Sequence, residues 1–308
     1  MNASPQIART IAEVRGLIER LRAERAGGES GNEVGFVPTM GYLHEGHASL
    51  LRRARRENGI TALSIFVNPI QFGPNEDLER YPRSEEADLE LAAREGVDVV
   101  FLPSAQEMYP AQRRTTVAVT GVTERLCGAS RPGHFDGVAT VVSKLFNIVK
   151  PDKAYFGAKD AQQVAVLQKM VSDLNMDVRI VPCPIVREAD GLALSSRNVY
   201  LSEEQRREAL VLSRSLREAS ARIESEAEVT PEQIVAGVTG SIQASPLAQI
   251  DYVELLTFPE LQPLDPKRDL SDLRDSGGSV ILALAVKFGS TRLIDNAILN
   301  LKEAPLHV

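Results

Sequence analysis

Residues 33–58 read EVGFVPTMGYLHEGHASLLRRARREN. The opening EVGFVP is a short apolar run of the kind that forms a buried strand. TMGYLHEG is too rich in glycine to be core and reads as a loop, while HASLLRRARREN sets Leu50, Leu51 and Ala54 along one side of a helix. A strand, a loop and a helix in that order make the unit of a parallel sheet, because a crossover must return the chain before the next strand can run the same way. The unit recurs as strand ITALSIFV (60–67), loop NPIQFGPNEDLERYPR (68–83), helix SEEADLELAAREG (84–96) and strand VDVVF (97–101). A third cycle has helix VATVVSKLFNIV (138–149), strand KAYFG (153–157), helix DAQQVAVLQKMVSDLN (160–175) and strand DVRIVPCPIV (177–186). The pattern predicts an α/β fold whose N-terminal domain, residues 1–185, is a doubly wound, Rossmann-like parallel sheet covered on both faces. Ahead of it, Ile7, Ile11, Val14, Ile18 and Leu21 recur at helical spacing. They predict a first helix capped by Ser4, with Pro5 in its first turn and Gly27-Gly28 as its stop.

Beyond READGLALSSRN (187–198) the texture changes. Helices are expected from Ser202 to Glu224 and from Pro231, followed by strands DYVELLTF (251–258), SVILALAVKF (279–288) and TRLIDNAIL (291–299) with no helix between them. That order predicts a smaller α+β domain with an antiparallel sheet over residues 186–308, expected to act as a lid. LDPKRDLSDLRDSGG (264–278) reads as an exposed polar loop.

Composition narrows the functional classes. Of 308 residues, 43% are apolar and 25% charged, which fits a globular chain and neither a disordered nor a fibrous one. A net charge of -7 gives no general attraction to nucleic acid or to an anionic membrane, so an anionic ligand must be held by a local site. Cys127 and Cys183 are far apart and form no C-x-x-C, leaving no basis for a disulfide framework or a zinc cluster. The N-terminal stretch carries charges throughout, and the longest apolar run, Val280 to Val286, is too short to span a bilayer. The expected location is the cytoplasm.

In an open α/β sheet the ligand lies outside the carboxyl ends of the strands. Three groups follow strand ends here: His44 and His47, then Asn68 and Gln71, then Gly157, Lys159 and Asp160. They are mostly hydrogen-bond donors, suited to phosphate oxygens and a polar small molecule. The start of the helix near His47 would add unpaired amides and the positive end of a helix dipole. Gly41 and Gly46 would let a base or phosphate approach the backbone and would permit positive φ. Zinc peptidases use H-E-x-x-H on an unbroken helical turn, whereas H-E-G-H is one residue shorter and carries a glycine. Neither G-x-x-x-x-G-K-[ST] nor G-x-G-x-x-G occurs, so nucleotide binding would need another device. Taken one at a time, Gln163 reads equally as a helix-surface residue, Asp160 as an N-cap and Ser195-Ser196 as a turn.

Four longer segments carry a resemblance: FVPTMGYLHEGH (36–47), SIFVNPIQFGPNEDLERYPR (64–83), RPGHFDGVATVVSKLFNIVKPDKAYFGAKDAQQ (131–163) and VREADGLALSSRNVYLS (186–202), with a fainter echo in GSTRLIDNAIL (289–299). In this order they resemble the signature segments of the pantothenate synthetase (pantoate–β-alanine ligase) family, nucleotidylyl transferases in which His44-Glu45-Gly46-His47 would be the H-x-G-H signature. The resemblance implies an ATP-dependent ligase that adenylates pantoate, releasing pyrophosphate, and then lets the amine of β-alanine displace AMP. It implies His44, His47, Lys159 and Arg197 as catalytic residues, with His47 the proton donor. ATP would lie along Met40, Gly41, Tyr42, Leu43, His44, Glu45, Gly46 and His47, and along Gly157, Ala158, Lys159 and Asp160. Val186, Leu194, Ser195, Ser196 and Arg197 would complete its site. Pantoate would be held by Gln71 and Gln163 beside Pro38, Met40, Val142 and Phe156, and β-alanine by Gln71. ATP chemistry implies Mg²⁺, for which Asp88 is the candidate ligand, and the family implies a homodimer. Arg131 and His134 are given no settled role. The rival enzymatic reading is a nucleotidylyltransferase acting on a phosphorylated acceptor. The chain departs from the family pattern at Ala158 and Cys127, where glutamate is common, and at Ala161, where an aromatic is common. Those changes put in doubt what surrounds Lys159 rather than the phosphate-binding groups themselves.

Overall fold

The computed structural model describes residues 4–26, 31–74, 76–226, 228–271, 273 and 277–301. Contacts divide the chain into two compact units: one takes the residues up to Val119 with Arg131–Ala158 and Val166–Val186, and the other takes Thr120–Ser130, Lys159–Ala165 and the chain from Arg187 onward.

The first unit is built on β1 (Gln6–Ala8), β2 (Val34–Thr39), β3 (Ile60–Ile65), β4 (Val99–Phe101), β5 (Lys153–Gly157) and β6 (Arg179–Cys183). They form one sheet in the order β1-β4-β3-β2-β5-β6. Every neighbouring pair is parallel. Helices α1 (Ile11–Glu24), α2 (Glu45–Glu57), α3 (Glu85–Arg94), α4 (Ala105–Met108), α6 (His134–Val149) and α7 (Ala161–Asp173) punctuate the strands; the short α5 (Leu126–Ser130), which falls between α4 and α6 in the chain, and the start of α7 up to Ala165 belong to the second unit. Leu50, Leu51 and Ala54 of α2 and Leu91 and Ala92 of α3 pack with Val37, Leu63, Val100 and Tyr155 of the sheet. That explains the apolar side read in residues 47–58. Helix α6 is buried on nearly every side, as a helix apolar all round must be. The chain runs from β2 outward through β3 to β4, then returns to β5 on the other side of β2. The carboxyl ends of β2 and β5 therefore flank the topological switch point, where α/β sheets bind ligands.

The N-terminus differs from the sequence expectation. Ile7 belongs to strand β1, paired with Val100 of β4, and not to the first helix. The cap is Thr10 in a capping box with Glu13, the helix ends at Arg25, and the expected stop Gly27-Gly28 lies outside the described residues. A three-residue edge strand shows no periodicity of its own, so the helical spacing of Ile7 with Ile11 was coincidental.

In the second unit, β7 (Ala248–Thr257), β8 (Ser279–Phe288) and β9 (Thr291–Asn300) form an antiparallel sheet in the order β7-β8-β9. One face packs on α8 (Glu203–Ser225) and α9 (Pro231–Gln243), through Leu212, Leu216, Ile223, Ile234 and Val238 against Val280, Leu282, Leu284, Val286 and Leu293. The opposite face meets the two stretches that join this unit from earlier in the chain. Arg125 pairs with Glu254 at 3.1 Å, Cys127 Sγ lies 3.3 Å from the Tyr252 hydroxyl, and Asn296 Nδ2 donates to the Lys159 carbonyl at 2.9 Å. With both faces covered, β8 reads as the unbroken apolar run VILALAV rather than as an alternation. Cys127 and Cys183 are both free and buried. The expected exposed loop at 264–278 is partly internal, because Leu270 is buried and its amide donates to the Val229 carbonyl; residues 272 and 274–276 lie outside the described part. No described helix is long and apolar enough to cross a membrane.

Candidate active site

The loop after β2 turns sharply at the switch point. Thr39 Oγ1 donates to the Ser64 carbonyl and accepts from the Gly41 amide, tying the turn to β3. Gly41 then has φ +86°, and a Cβ there would stand 2.9 Å from Ile65 Cγ2 and 3.0 Å from Asp88 Oδ2. Only glycine fits both the torsion and the space. Tyr42 follows with φ 52°, a left-handed conformation that a side chain disfavours. Asp88 of α3 holds it there: its two oxygens accept from the amides of Tyr42 (2.9 Å) and Leu43 (2.6 Å). Asp88 is 2% exposed, and burial pushes its carboxyl above the usual range despite those two amide bonds. The residue offered by sequence to a metal thus has both oxygens engaged in bracing the loop.

His44 is the N-cap of α2, an unusual choice that the geometry explains. Its Nδ1 accepts from the Gly46 amide at 3.1 Å, and Nδ1 of His47 accepts from the His44 amide at 3.2 Å. The two rings replace the side chains of an ordinary capping box, with centroids 4.1 Å apart. Because each Nδ1 accepts, the proton of each neutral ring belongs on Nε2. Both imidazoles are thereby assigned as Nε2–H donors at the positive end of a helix dipole. Of the two glycines singled out in this loop, Gly41 provides the positive φ, while Gly46 lies in the first turn of α2 and its amide is needed by His44.

Gln71 closes a short 3-10 turn, Pro69–Gln71, after β3. Asn68 Nδ2 donates to Gln71 Oε1 at 3.0 Å and Tyr109 donates its hydroxyl to Asn68 Oδ1 at 2.8 Å, which orients the Gln71 amide with Nε2 toward Met40 Sδ at 3.3 Å. Burial raises the Tyr109 hydroxyl to about 12, so it remains a donor. Arg131 and His134 acquire a task here. Arg131 grips Glu76 with two bonds of 2.7 and 2.6 Å and approaches His134 Nε2 at 2.9 Å, while His134 Nδ1 lies 2.9 Å from the Gln71 carbonyl. Since guanidinium can only donate, His134 Nε2 accepts and Nδ1–H donates to Gln71. Burial pushes the Glu76 carboxyl upward, but the Arg131 bonds outweigh it and hold the group below its ordinary range. Gly137 lets α6 approach: a Cβ there would sit 2.5 Å from the Ile70 carbonyl oxygen and 2.6 Å from Gln71 Cα.

β2, β3 and β5 are adjacent, so the loops bearing His44 and His47, Gln71, and Gly157-Ala158 leave the same edge of one sheet. Val186 also belongs to this unit, three residues past β6.

In the second unit, Lys159 and Asp160 lie in the turn Ala158–Asp160 ahead of α7, with Lys159 Nζ 3.8 Å from Asp160. Of the adjacent glutamines, Gln162 is buried and its amide donates to the carbonyls of Val122 and Arg125, so it anchors the helix, whereas Gln163 is only half-buried. Leu194 precedes Ser195, which caps the turn Ser196–Tyr200 by accepting from the Arg197 amide at 3.3 Å. That turn rests on β9, as does the Lys159 carbonyl. Arg187 lies beside it, paired through two bonds of 2.7 and 3.0 Å with Asp295 of β9.

Tyr109, Glu76 and the β9 residues were not singled out as site residues from sequence. RPGHF offered a signal for the Arg131 and His134 brace, but Tyr109 offered none. Among the described residues no group of three or more His, Cys, Asp or Glu side chains could hold a metal ion.

A doubly wound parallel sheet with an imidazole-capped helix at its switch point defines the class: an α/β enzyme whose donors suit a nucleotide phosphate. Comparison with known proteins is specific. The family model for pantoate-beta-alanine ligase matches residues 6–298, and the chain belongs to that family of ATP-dependent ligases. It is 55% identical over 294 residues to the pantothenate synthetase of Pelotomaculum thermopropionicum, covering 96% of this chain and 99% of that one. The Bacillus cereus pantothenate synthetase is 54% identical over 297 residues, with 96% and 100% covered. Among solved structures, pantothenate synthetase from Thermus thermophilus superposes with a TM-score of 0.83 at 44% identity, covering 97% of this chain and 100% of that one. Pantoate-beta-alanine ligase from Francisella tularensis, solved in complex with beta-gamma ATP and beta-alanine, gives 0.74 at 32% identity with 98% and 100% covered.

Proposed function

We infer that this protein joins pantoate to β-alanine at the expense of ATP, by way of a pantoyl adenylate. A pantoate carboxylate oxygen bonds to the α-phosphorus as the bond to pyrophosphate breaks. The β-alanine amine then attacks the acyl carbon, AMP departs with its oxygen, and the nitrogen loses a proton. Phosphorus chemistry of this kind needs alignment and charge neutralisation more than a covalent nucleophile. The observation that carries the reading is the pair of Nε2–H imidazoles capping α2 at the switch point.

His44 and His47 donate to ATP phosphate oxygens, His47 as the proton donor, and Lys159 and Arg197 neutralise the charge that develops in the transition state. ATP runs along Met40 to His47, Gly157 to Asp160, Val186, and Leu194 to Arg197. Gln71, its amide set by Asn68 with Nε2 toward Met40, and Gln163 take pantoate. Gln71 also receives β-alanine. Mg²⁺ accompanies the triphosphate, since it retains several waters and favours phosphate oxygens. The imidazole, ammonium and guanidinium groups here suit phosphate rather than Mg²⁺, which prefers oxygen ligands, and the Asp88 oxygens are engaged with amides. No protein ligand is therefore assigned to the ion. Action as a homodimer in the cytoplasm belongs to the same reading.

The test supplies ATP, Mg²⁺, D-pantoate and β-alanine and follows pantothenate and AMP by mass spectrometry, together with exchange of labelled pyrophosphate into ATP. Both products should form in equal amounts, and exchange should require pantoate. Exchange that proceeds without pantoate, or AMP without pantothenate, would overturn the assignment.

A further inference from the structure

The stretch Thr291–Asn300 places an acid and an amide side by side, Asp295 and Asn296, between the apolar pairs Leu293-Ile294 and Ala297-Ile298 of an edge strand. Both are almost fully buried, at 3% and 5% exposure. Burying two adjacent polar side chains is unfavourable unless each has a designated partner. Successive residues of a strand face opposite sides of the sheet, so the two serve different neighbours.

Asp295, on the side of α8 and α9, receives both bonds of the Arg187 guanidinium. Arg187 in turn donates to the Gly191 carbonyl and pairs with Ala193 as an antiparallel bridge, which holds the segment leading into Leu194–Arg197. Asn296, on the other side, donates Nδ2–H to the carbonyl oxygen of Lys159 at 2.9 Å. Its own amide is fixed by Asp295 Oδ1 at 2.8 Å, so the two residues are locked as a pair. Lys159 sits in a turn of only three residues, Ala158–Asp160. Tethering its carbonyl fixes the peptide plane on its C-terminal side and with it the direction in which its side chain departs.

We propose that Asn296, held in place by Asp295, is a positioning residue that sets the Lys159 ammonium where it neutralises the charge developing on the phosphate oxygens as the pantoate carboxylate attacks the α-phosphorus. The proposal rests on the reading of Lys159 as a phosphate-binding residue. In this role Asn296 acts through the lysine, whose carbonyl it holds.

The test is a double-mutant cycle read by pantoate-dependent ATP–pyrophosphate exchange, with thermal unfolding as the check on folding. Asn296→Leu keeps the branched side-chain skeleton and removes the donor. Asn296→Ser, too short to reach the Lys159 carbonyl, is the second variant should leucine compromise folding. In the wild-type background either variant is expected to lower exchange kcat at least tenfold while the KM for pantoate changes less than twofold. In a Lys159→Ala background the same substitution should change exchange less than twofold, because there is no ammonium left to position. A merely structural role would reduce exchange by the same factor in both backgrounds, and that result overturns the proposal, as does wild-type exchange in the single variants. Wild-type exchange in Lys159→Ala alone would instead bring down the underlying reading of Lys159.

Discussion

Asp88→Asn separates a brace from a metal ligand. The amide is nearly the same shape but has a single acceptor oxygen, so one of the amides of Tyr42 and Leu43 would face an NH₂ group. Leaving a buried donor unsatisfied costs about 1–3 kcal/mol. Against this, the substitution relieves the burial that pushes the Asp88 carboxyl upward. The net destabilisation is about 2 kcal/mol, toward the middle of that range. At about 2–4 °C per kcal/mol for a chain of this general size, Tm should fall by about 4–8 °C. The measurement is made in Mg²⁺-free buffer by calorimetry. Activity should fall further than stability suggests. Tyr42 is held at φ 52°, and once one of the two amides is released its backbone has reason to relax, shifting the His44 cap two residues on. Misplacing a reacting group by about 1 Å can cost about 100-fold, and pantoate-dependent exchange should drop by about that factor. An unchanged Tm without Mg²⁺, combined with a many-fold rise in the Mg²⁺ concentration needed for half-maximal exchange, would refute the brace and restore Asp88 as a ligand.

Other perturbations follow from the same geometry. Gly137→Ala puts a methyl 2.5 Å from the Ile70 carbonyl, so the Pro69–Gln71 turn must shift; steady-state kinetics should show the KM for pantoate rising at least tenfold, with a much smaller change for ATP. Glu76 is held below its ordinary range, so its contribution is fully present above about pH 4–5 and is lost as pH falls through the lowered value. Wild-type Tm should therefore decline on acidification below about pH 4 more steeply than that of Glu76→Gln, and parallel declines would show that the Arg131 pair contributes nothing. His47→Ala removes both an Nε2–H donor and the acceptor for the His44 amide; exchange should fall about 100- to 1,000-fold, and a fall below tenfold would displace His47 from the first step.

Much of the first unit was legible because its signals are local. VGFVPT, ITALSI and KAYFG each carry a short apolar run, and a strand followed by a loop and a helix admits few arrangements other than a parallel sheet. His44 and His47 could be placed outside a strand end for the same reason. What misled at the N-terminus was also local. Ile7 continues a helical spacing by chance, and only pairing with β4 makes it a strand. Asp88 sits in SEEADLE, indistinguishable from an ordinary acidic helix start, and its task depends on amides 45 and 46 residues away along the chain.

By itself the sequence determined the alternation of strands and helices, the residue types gathered after β2, β3 and β5, and the kinship with a ligase family, since each depends on neighbours in the chain or on motifs of fixed spacing. Only the tertiary structure decided that Lys159 and residues 120–130 go with the antiparallel sheet, that Arg131 and His134 support Gln71, and that Asp295 and Asn296 reach Arg187 and Lys159. Those pairings are between groups remote in sequence. A buried polar atom must find a partner somewhere, and no rule of spacing says which partner folding will bring within reach.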